Sequence, residues 1–198
     1  MLDRPDAGSV ALEIINPGLR IKGLLDVPGS RRISDLLNDQ AETLVLHNVR
    51  FGTLEGTLLD TMAEFTVDKA SIVIAFPWES AGYLAARRAD RFGIAPPKLP
   101  ETPVRVAVPP FLVHGLLRVA AASGTPSLLI RALNHFFVLT DGFVELNKLV
   151  VGEAPAVIIN RDFVLGVGRL DQKGHSTEEQ REVQPHRIDE ASKLGGLS

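Results

Sequence analysis

Cysteine is absent from the 198 residues. The chain therefore forms no disulfide, offers no thiol nucleophile and builds no zinc–thiolate centre, a composition that fits a reducing cytoplasm. An excess of basic charge is missing too. Lys and Arg number 21 against 24 Asp and Glu, a formal net charge of −3, which argues against a broad nucleic-acid surface, because such a surface needs a basic face. Long apolar runs are lacking. Phe136–Leu139 and Val157–Ile159 fall far short of the roughly 20 residues that cross a bilayer as a helix. Residues 1–20 carry acids and no apolar signal core, so neither a membrane helix nor a secretory signal is expected. Chemical motifs are equally scarce. No serine lies in a Gly-x-Ser-x-Gly elbow, no glycine-rich phosphate loop follows a strand, and the pair Glu178-Glu179 lies in a polar C-terminal segment, the wrong place for a preorganised active site.

What is present is a pattern that returns. Gly23-Leu24-Leu25-Asp26-Val27 reappears as Gly115-Leu116-Leu117-Arg118-Val119. Upstream, Leu12, Ile14, Pro17, Leu19 and Ile21 match Val104, Val106, Pro109, Phe111 and Val113 in one register. Downstream, Leu37-Asn38 aligns with Leu133-Asn134, and Leu44-Val45-Leu46 with Phe137-Val138-Leu139. A looser correspondence sets Val67–Ile74 against Val151–Ile158. Insertions fall between elements, where loops tolerate them. A period of about 85 residues is too long for a solenoid, so a duplication of domains is expected.

Each copy reads as strands around one short helix. Val10–Ile15 and Leu19–Val27 are rich in Val, Ile and Leu and flank the turn signal Asn16-Pro17-Gly18. Val104–Val108 and Phe111–Val119 flank Pro109-Pro110 in the same way. Gly23 and Gly115 sit mid-strand, where glycine marks a bulge or a close backbone approach. Ser30 is the expected cap of a helix whose Ile33, Leu36 and Leu37 form an i, i+3, i+4 stripe. In the second copy Thr125 and Pro126 open a helix with Leu128, Leu129, Ala132 and Leu133 on its buried face. Both helices end at an Asn, which tolerates the left-handed cap conformation. Thr43–Phe51 and Phe136–Leu146 follow as strands, the second with a bulge at Asp141-Gly142. The copies close with Ala70–Phe76 and Ala156–Ile159, and Phe163–Val167 adds one more strand.

The expected architecture is thus α+β and β-rich: two tandem duplicated ββαββ modules, each an antiparallel sheet or small barrel with a short helix. Residues 1–92 form the first module, ending in an extra helix over Glu79–Phe92. Residues 93–103, with four prolines, are a semi-rigid linker. Residues 104–169 form the second module, and 170–198 a disordered polar tail.

Candidate sites are few. Arg31, Arg32 and Asp35 stand at the start of the first helix, where an anion could be captured or a local ion pair formed. Arg87, Arg88 and Arg91 form a basic face beside Tyr83 and Phe92. Trp78, the only tryptophan, is either a core anchor or part of a partner interface. His47, His114, His135, His175 and His186 have no ligand-like helical spacing, and no cofactor or metal is expected.

The stretch Arg32-Ile33-Ser34-Asp35-Leu36-Leu37-Asn38, followed by Thr43-Leu44-Val45-Leu46-His47-Asn48, resembles a small bacterial module with an Arg-aliphatic-Ser-Asp helix between strands. The second copy keeps only its hydrophobic frame, with Ile130-Arg131 in place of Ser-Asp. The resemblance implies a scaffold and no activity. Gly-Leu-Leu followed by Asn and an apolar strand is also similar to Sm-like small barrels, from which the inserted helix and the acidic balance depart. The leading expectation is a non-enzymatic cytoplasmic protein that self-associates or binds a protein partner through its sheet edges. A binder of nucleic acid or another anion, using the five arginines above, and an enzyme with a site between the modules are the alternatives.

Overall fold

The computed structural model describes residues 9–28, 31–77, 100–118 and 134–170. The helices expected over 79–92 and from Thr125 onward, Trp78, Arg87, Arg88 and Arg91, and the tail beyond Leu170 lie outside these residues.

The first half runs β1 (Ser9–Asn16), β2 (Leu19–Asp26), a five-residue helix α1 (Ile33–Leu37), β3 (Thr43–Gly52), β4 (Leu58–Asp68), a 3₁₀ turn (Lys69–Ser71) and β5 (Ile74–Pro77). The second runs β6 (Glu101–Val108), β7 (Phe111–Arg118), β8 (Phe136–Leu146), β9 (Leu149–Asn160), a 3₁₀ turn (Arg161–Phe163) and β10 (Gly166–Arg169). The described residues are therefore β-rich, with all strand pairs antiparallel in one ten-stranded sheet of order β10-β6-β7-β8-β9-β5-β1-β2-β3-β4. Within each half the fifth strand lies beside the first, so the expected four-strand unit lacks one member. The sheet order has two ends, β10 and β4.

Turn chemistry shapes the hairpins. Asn16 pairs with Leu19 across Pro17-Gly18, and Gly18 takes φ +79°, a conformation that only glycine enters at no steric cost. Val108 pairs with Phe111 across a cis Pro109-Pro110 bond. The mid-strand glycines have the role their position implied. A Cβ on Gly23 would lie 3.1 Å from Leu46 Cβ, and one on Gly115 only 2.9 Å from Leu139 Cβ. At both places the register with the neighbouring strand slips, and the unpaired residue there, Asn48 or Asp141, has φ near +50°. The bulge expected at Asp141-Gly142 is present, and β8 runs through it without turning.

Several expectations are corrected. The segment Ala70–Phe76 is not one strand, because the Asp68 carboxylate accepts from Ala70 N–H and caps a 3₁₀ turn before β5 begins. Asn160 does the same to Asp162 N–H, so the strand expected over Phe163–Val167 begins later, at Gly166. Val67 lies opposite Leu44, and it is Ile159, not Val151, that lies opposite Phe137. The correspondence of 67–74 with 151–158 is therefore out of register. Helix α1 buries Ile33, Leu36 and Leu37 as its stripe requires, but its N-cap is Arg32 rather than Ser30. Asn38 at its end has φ −92°, outside the left-handed region. The last residues of the expected linker, Glu101–Pro103, pair with β7 as part of β6.

Two apolar clusters hold the sheet, and neither belongs to one half alone. The larger share of one comes from β6–β9, but Ile15, Val73, Ile74 and Phe76 join it. The other gathers β1–β4 and α1, and takes in Phe136 and Ile158. Burying such side chains contributes about 1.5–3 kcal/mol each, so the contact between halves is a continuation of the core.

Candidate functional site

The join between halves is the reference for everything the sheet edges can do. It is a short ladder, Ile74 opposite Ile159 and Ala75 opposite Ile158. Asn160 extends it with its backbone N–H donating to Val73 O at 3.1 Å and its side-chain amide donating to Ile72 O at 2.9 Å. Phe76 lies over Gly152, where a Cβ would come within 2.7 Å of the ring. Farther along, Arg20 from β2 donates to the carbonyls of Leu54 and Val151.

Polar residues inside this region were not singled out from the sequence. Glu13 is buried, with Arg20 Nη1 at 3.1 Å and Lys22 Nζ at 3.1 Å. The Arg20 contact is an ion pair rather than a hydrogen bond. Lys22 faces Glu13 directly across the β1–β2 ladder, a cross-strand pair of the favourable sign. The signal in the sequence was the alternation Glu13, Arg20, Lys22 within otherwise apolar strands, which only the register converts into contact.

The outer edges differ from the join. β4 has eleven residues and no proline. Leu58, Leu59 and Met62 are 60%, 58% and 42% exposed along it. β10 is short, with two glycines, and Leu165 just before it is 80% exposed.

The arginine pair at α1 finds local partners. Arg31 donates to the Asp39 carboxylate at 2.9 Å and to Asp35 O at 3.3 Å. The Asp35 carboxylate accepts from Arg32 N–H at 3.0 Å, so an acid of the chain itself occupies the helix start. Asp39 also binds the ammonium of Lys69, a buried lysine that donates to Leu36 O as well and so satisfies a C-terminal carbonyl of α1. The Lys69 hydrogen bond, more than any other influence, holds the Asp39 carboxyl below its ordinary value; Arg31 adds to it and burial opposes it. Asp39 and Lys69 border an open hollow of about 250 Å³ with Leu36, Asp26 and His47.

Each described histidine has an acid near it. His47 lies 3.7 Å from Asp26 and 3.6 Å from Glu64. His135 lies 3.6 Å from Asp162. His114 is buried, stacks on Phe143 at 4.4 Å and lies 3.4 Å from Glu145. Among the described residues no group of three or more His, Asp or Glu could hold a metal ion, and no helix is long and apolar enough to cross a membrane.

Among the described residues these features define an all-antiparallel sheet whose order ends at β10 and β4, with a charged cluster beside a small helix. No protein-family model, curated protein or solved structure matches the chain.

Proposed function

We propose that the chain is a tandem duplication of one five-stranded unit and that it works as a non-enzymatic interaction or assembly scaffold through its sheet edges. The observation that carries the reading is β4. An edge strand presents a row of unsatisfied N–H and C=O groups, and proteins ordinarily blunt such an edge with proline, bulges or brevity. β4 is eleven residues long, contains no proline, confines its register slip to its start at Leu59 and displays exposed Leu58, Leu59 and Met62. Strand addition to such an edge gains backbone hydrogen bonds and specificity from alternate side chains. The duplication is supported by strand order, by matched bulges opposite Gly23 and Gly115, and by matched capped 3₁₀ turns after Asp68 and Asn160.

The test blocks the edge. Asn160 N–H crosses the join to Val73, and N–H groups alternate sides along a strand, so Asp68, Thr66 and Glu64 direct theirs to the open side of β4. Thr66→Pro removes one such donor. The unaltered chain should self-associate in light scattering or retain a protein in a pull-down, and Thr66→Pro should lose this while keeping its circular dichroism spectrum. A strict monomer that captures nothing overturns the reading.

A further inference from the structure

The two strands at the ends of the sheet occupy the same places in their halves as the two strands that meet in its middle. Asp68 stands at the end of β4 as Asn160 stands at the end of β9: each pairs with the first residue of the preceding strand, Thr43 or Phe136, and each caps a 3₁₀ turn. Gly166 stands in β10 as Ile74 stands in β5, opposite Ala107 of β6 or Ile15 of β1. We propose that β10 of one chain pairs antiparallel with β4 of a second copy, in the register of the β5–β9 join, so that copies add head to tail. The proposal rests on the scaffold reading and names its partner.

Transferring the register sets Gly166 opposite Val67 of the second copy and Val167 opposite Thr66. Continuing the ladder places Gly168 opposite Phe65 and Arg169 opposite Glu64. Arg169 and Glu64 are both exposed and opposite in charge, the favourable sign for a directly facing pair. Gly168 leaves room for the facing phenylalanine.

A second contact follows from a shared irregularity. In β9 the register slips so that Val151 is skipped between Gly152 and Val150; in β4 Leu59 is skipped between Asp60 and Leu58. Inside the chain, the carbonyl of Val151 accepts from Arg20, which sits opposite Ile15. The matching residue of β7 is Leu112, opposite Ala107. The head-to-tail contact therefore sets Leu112 of one copy at the place facing the Leu59 segment of the next, so an apolar side chain stands where the join has a polar one, near the 58% exposed Leu59. Leu165 gains a cover in this contact. It precedes β10 as Val73 precedes β5, yet Leu165 is 80% exposed where Val73 is 3% exposed.

The donor strand and the acceptor strand are different surfaces, so the contact is heterologous. It continues past a dimer, into a ring if the rotation closes and a filament if it does not.

Sedimentation of the full chain over a range of concentrations tests this, with unfolding curves run beside it to show that each variant folds. The unaltered chain should exceed monomer mass. Glu64→Arg and Arg169→Glu should each weaken association about tenfold, and the double variant should restore it, as expected for replacing an attractive cross-strand pair by a repulsive one and back. Asp68→Asn keeps the cap acceptor and adds the amide donor that Asn160 uses in the join, so it should tighten association about fivefold, the worth of roughly one hydrogen bond. Association that ignores both charge reversals places the contact elsewhere and overturns the proposal. A chain that stays monomeric at every concentration overturns it as well. If that monomer still captures another protein through β4, the scaffold reading survives without the second copy.

Discussion

Asn38 holds the backbone of Phe136 from both sides. Its amide nitrogen donates to Phe136 O at 2.8 Å and its amide oxygen accepts from Phe136 N–H at 2.8 Å. The two residues are 98 positions apart. Among the described residues the β7–β8 ladder reaches Leu117 and Leu139, and at Phe136 a side chain from the first half makes the backbone hydrogen bonds.

Replacing Asn38 by Ala orphans both backbone groups of a buried residue. The cost should be about 2–3 kcal/mol, the upper part of the penalty for unsatisfied buried polar groups. Asn38→Asp keeps the acceptor but sets a carboxylate oxygen against the Ser34 and Phe136 carbonyls, so at neutral pH its loss should be no smaller than that of the Ala variant. Urea unfolding of the three proteins checks the order.

The Asp39–Lys69 pair sets a dependence on acid. Its folded carboxyl titrates below the ordinary value of 3.8. A depressed folded value means that the unfolded chain takes up the proton first, so the pair's stabilisation is complete above about pH 4 to 5 and is lost as pH falls through the folded value. Asp39→Asn keeps an oxygen acceptor for the Lys69 ammonium but removes the opposite charge, and should lower stability at pH 7 by about 1 kcal/mol. The gap between variant and parent should close as pH falls below 3.8. A gap of unchanged size at pH 3 would contradict the assignment.

The glycines at the bulges should rank. A methyl on Gly115 meets Leu139 Cβ at 2.9 Å and Thr140 O at 3.1 Å, whereas on Gly23 the closest approaches are 3.1 and 3.3 Å. Gly115→Ala should cost about 2–3 kcal/mol, as overpacking against atoms that cannot move aside does. Gly23→Ala should cost less. Thermal unfolding of the pair of variants reads the difference.

Phe76 fastens the join. Its ring covers Gly152 and is buried with residues of both halves. Phe76→Ala should cost about 3–4 kcal/mol through transfer and cavity terms. Amide exchange should accelerate at Ile158 and Ile159 more than at Ile21 and Leu46, which lie on β2 and β3, away from the join.

Local signals carried much of the fold into the sequence. Pro17-Gly18 marked a hairpin, Gly23 and Gly115 marked bulges, and the spacing of Ile33, Leu36 and Leu37 marked a helix face, because each effect is settled within a few residues. β4 was illegible for the opposite reason. An edge strand with almost every side chain exposed shows no alternation of apolar and polar residues. The capped 3₁₀ turn after Asp68 was missed because it rests on one side-chain bond that composition does not disclose. Of the candidate site, Arg31, Arg32 and Asp35 were visible as a charged cluster. Their closure by Asp39 and Lys69 was not, because it depends on a lysine some thirty positions away.

The strand order also dictates a sequence of events in time. The β1–β2, β3–β4, β6–β7 and β8–β9 pairs are hairpins of neighbouring segments, whereas the β5–β9 ladder unites positions 74 and 159. Closing so long a loop has an entropic cost that local pairing does not. The hairpins should therefore form early and the central ladder last. Until it closes, Ile74, Phe76 and Ile159 are uncovered, and this is the interval in which two nascent chains at high concentration would exchange halves.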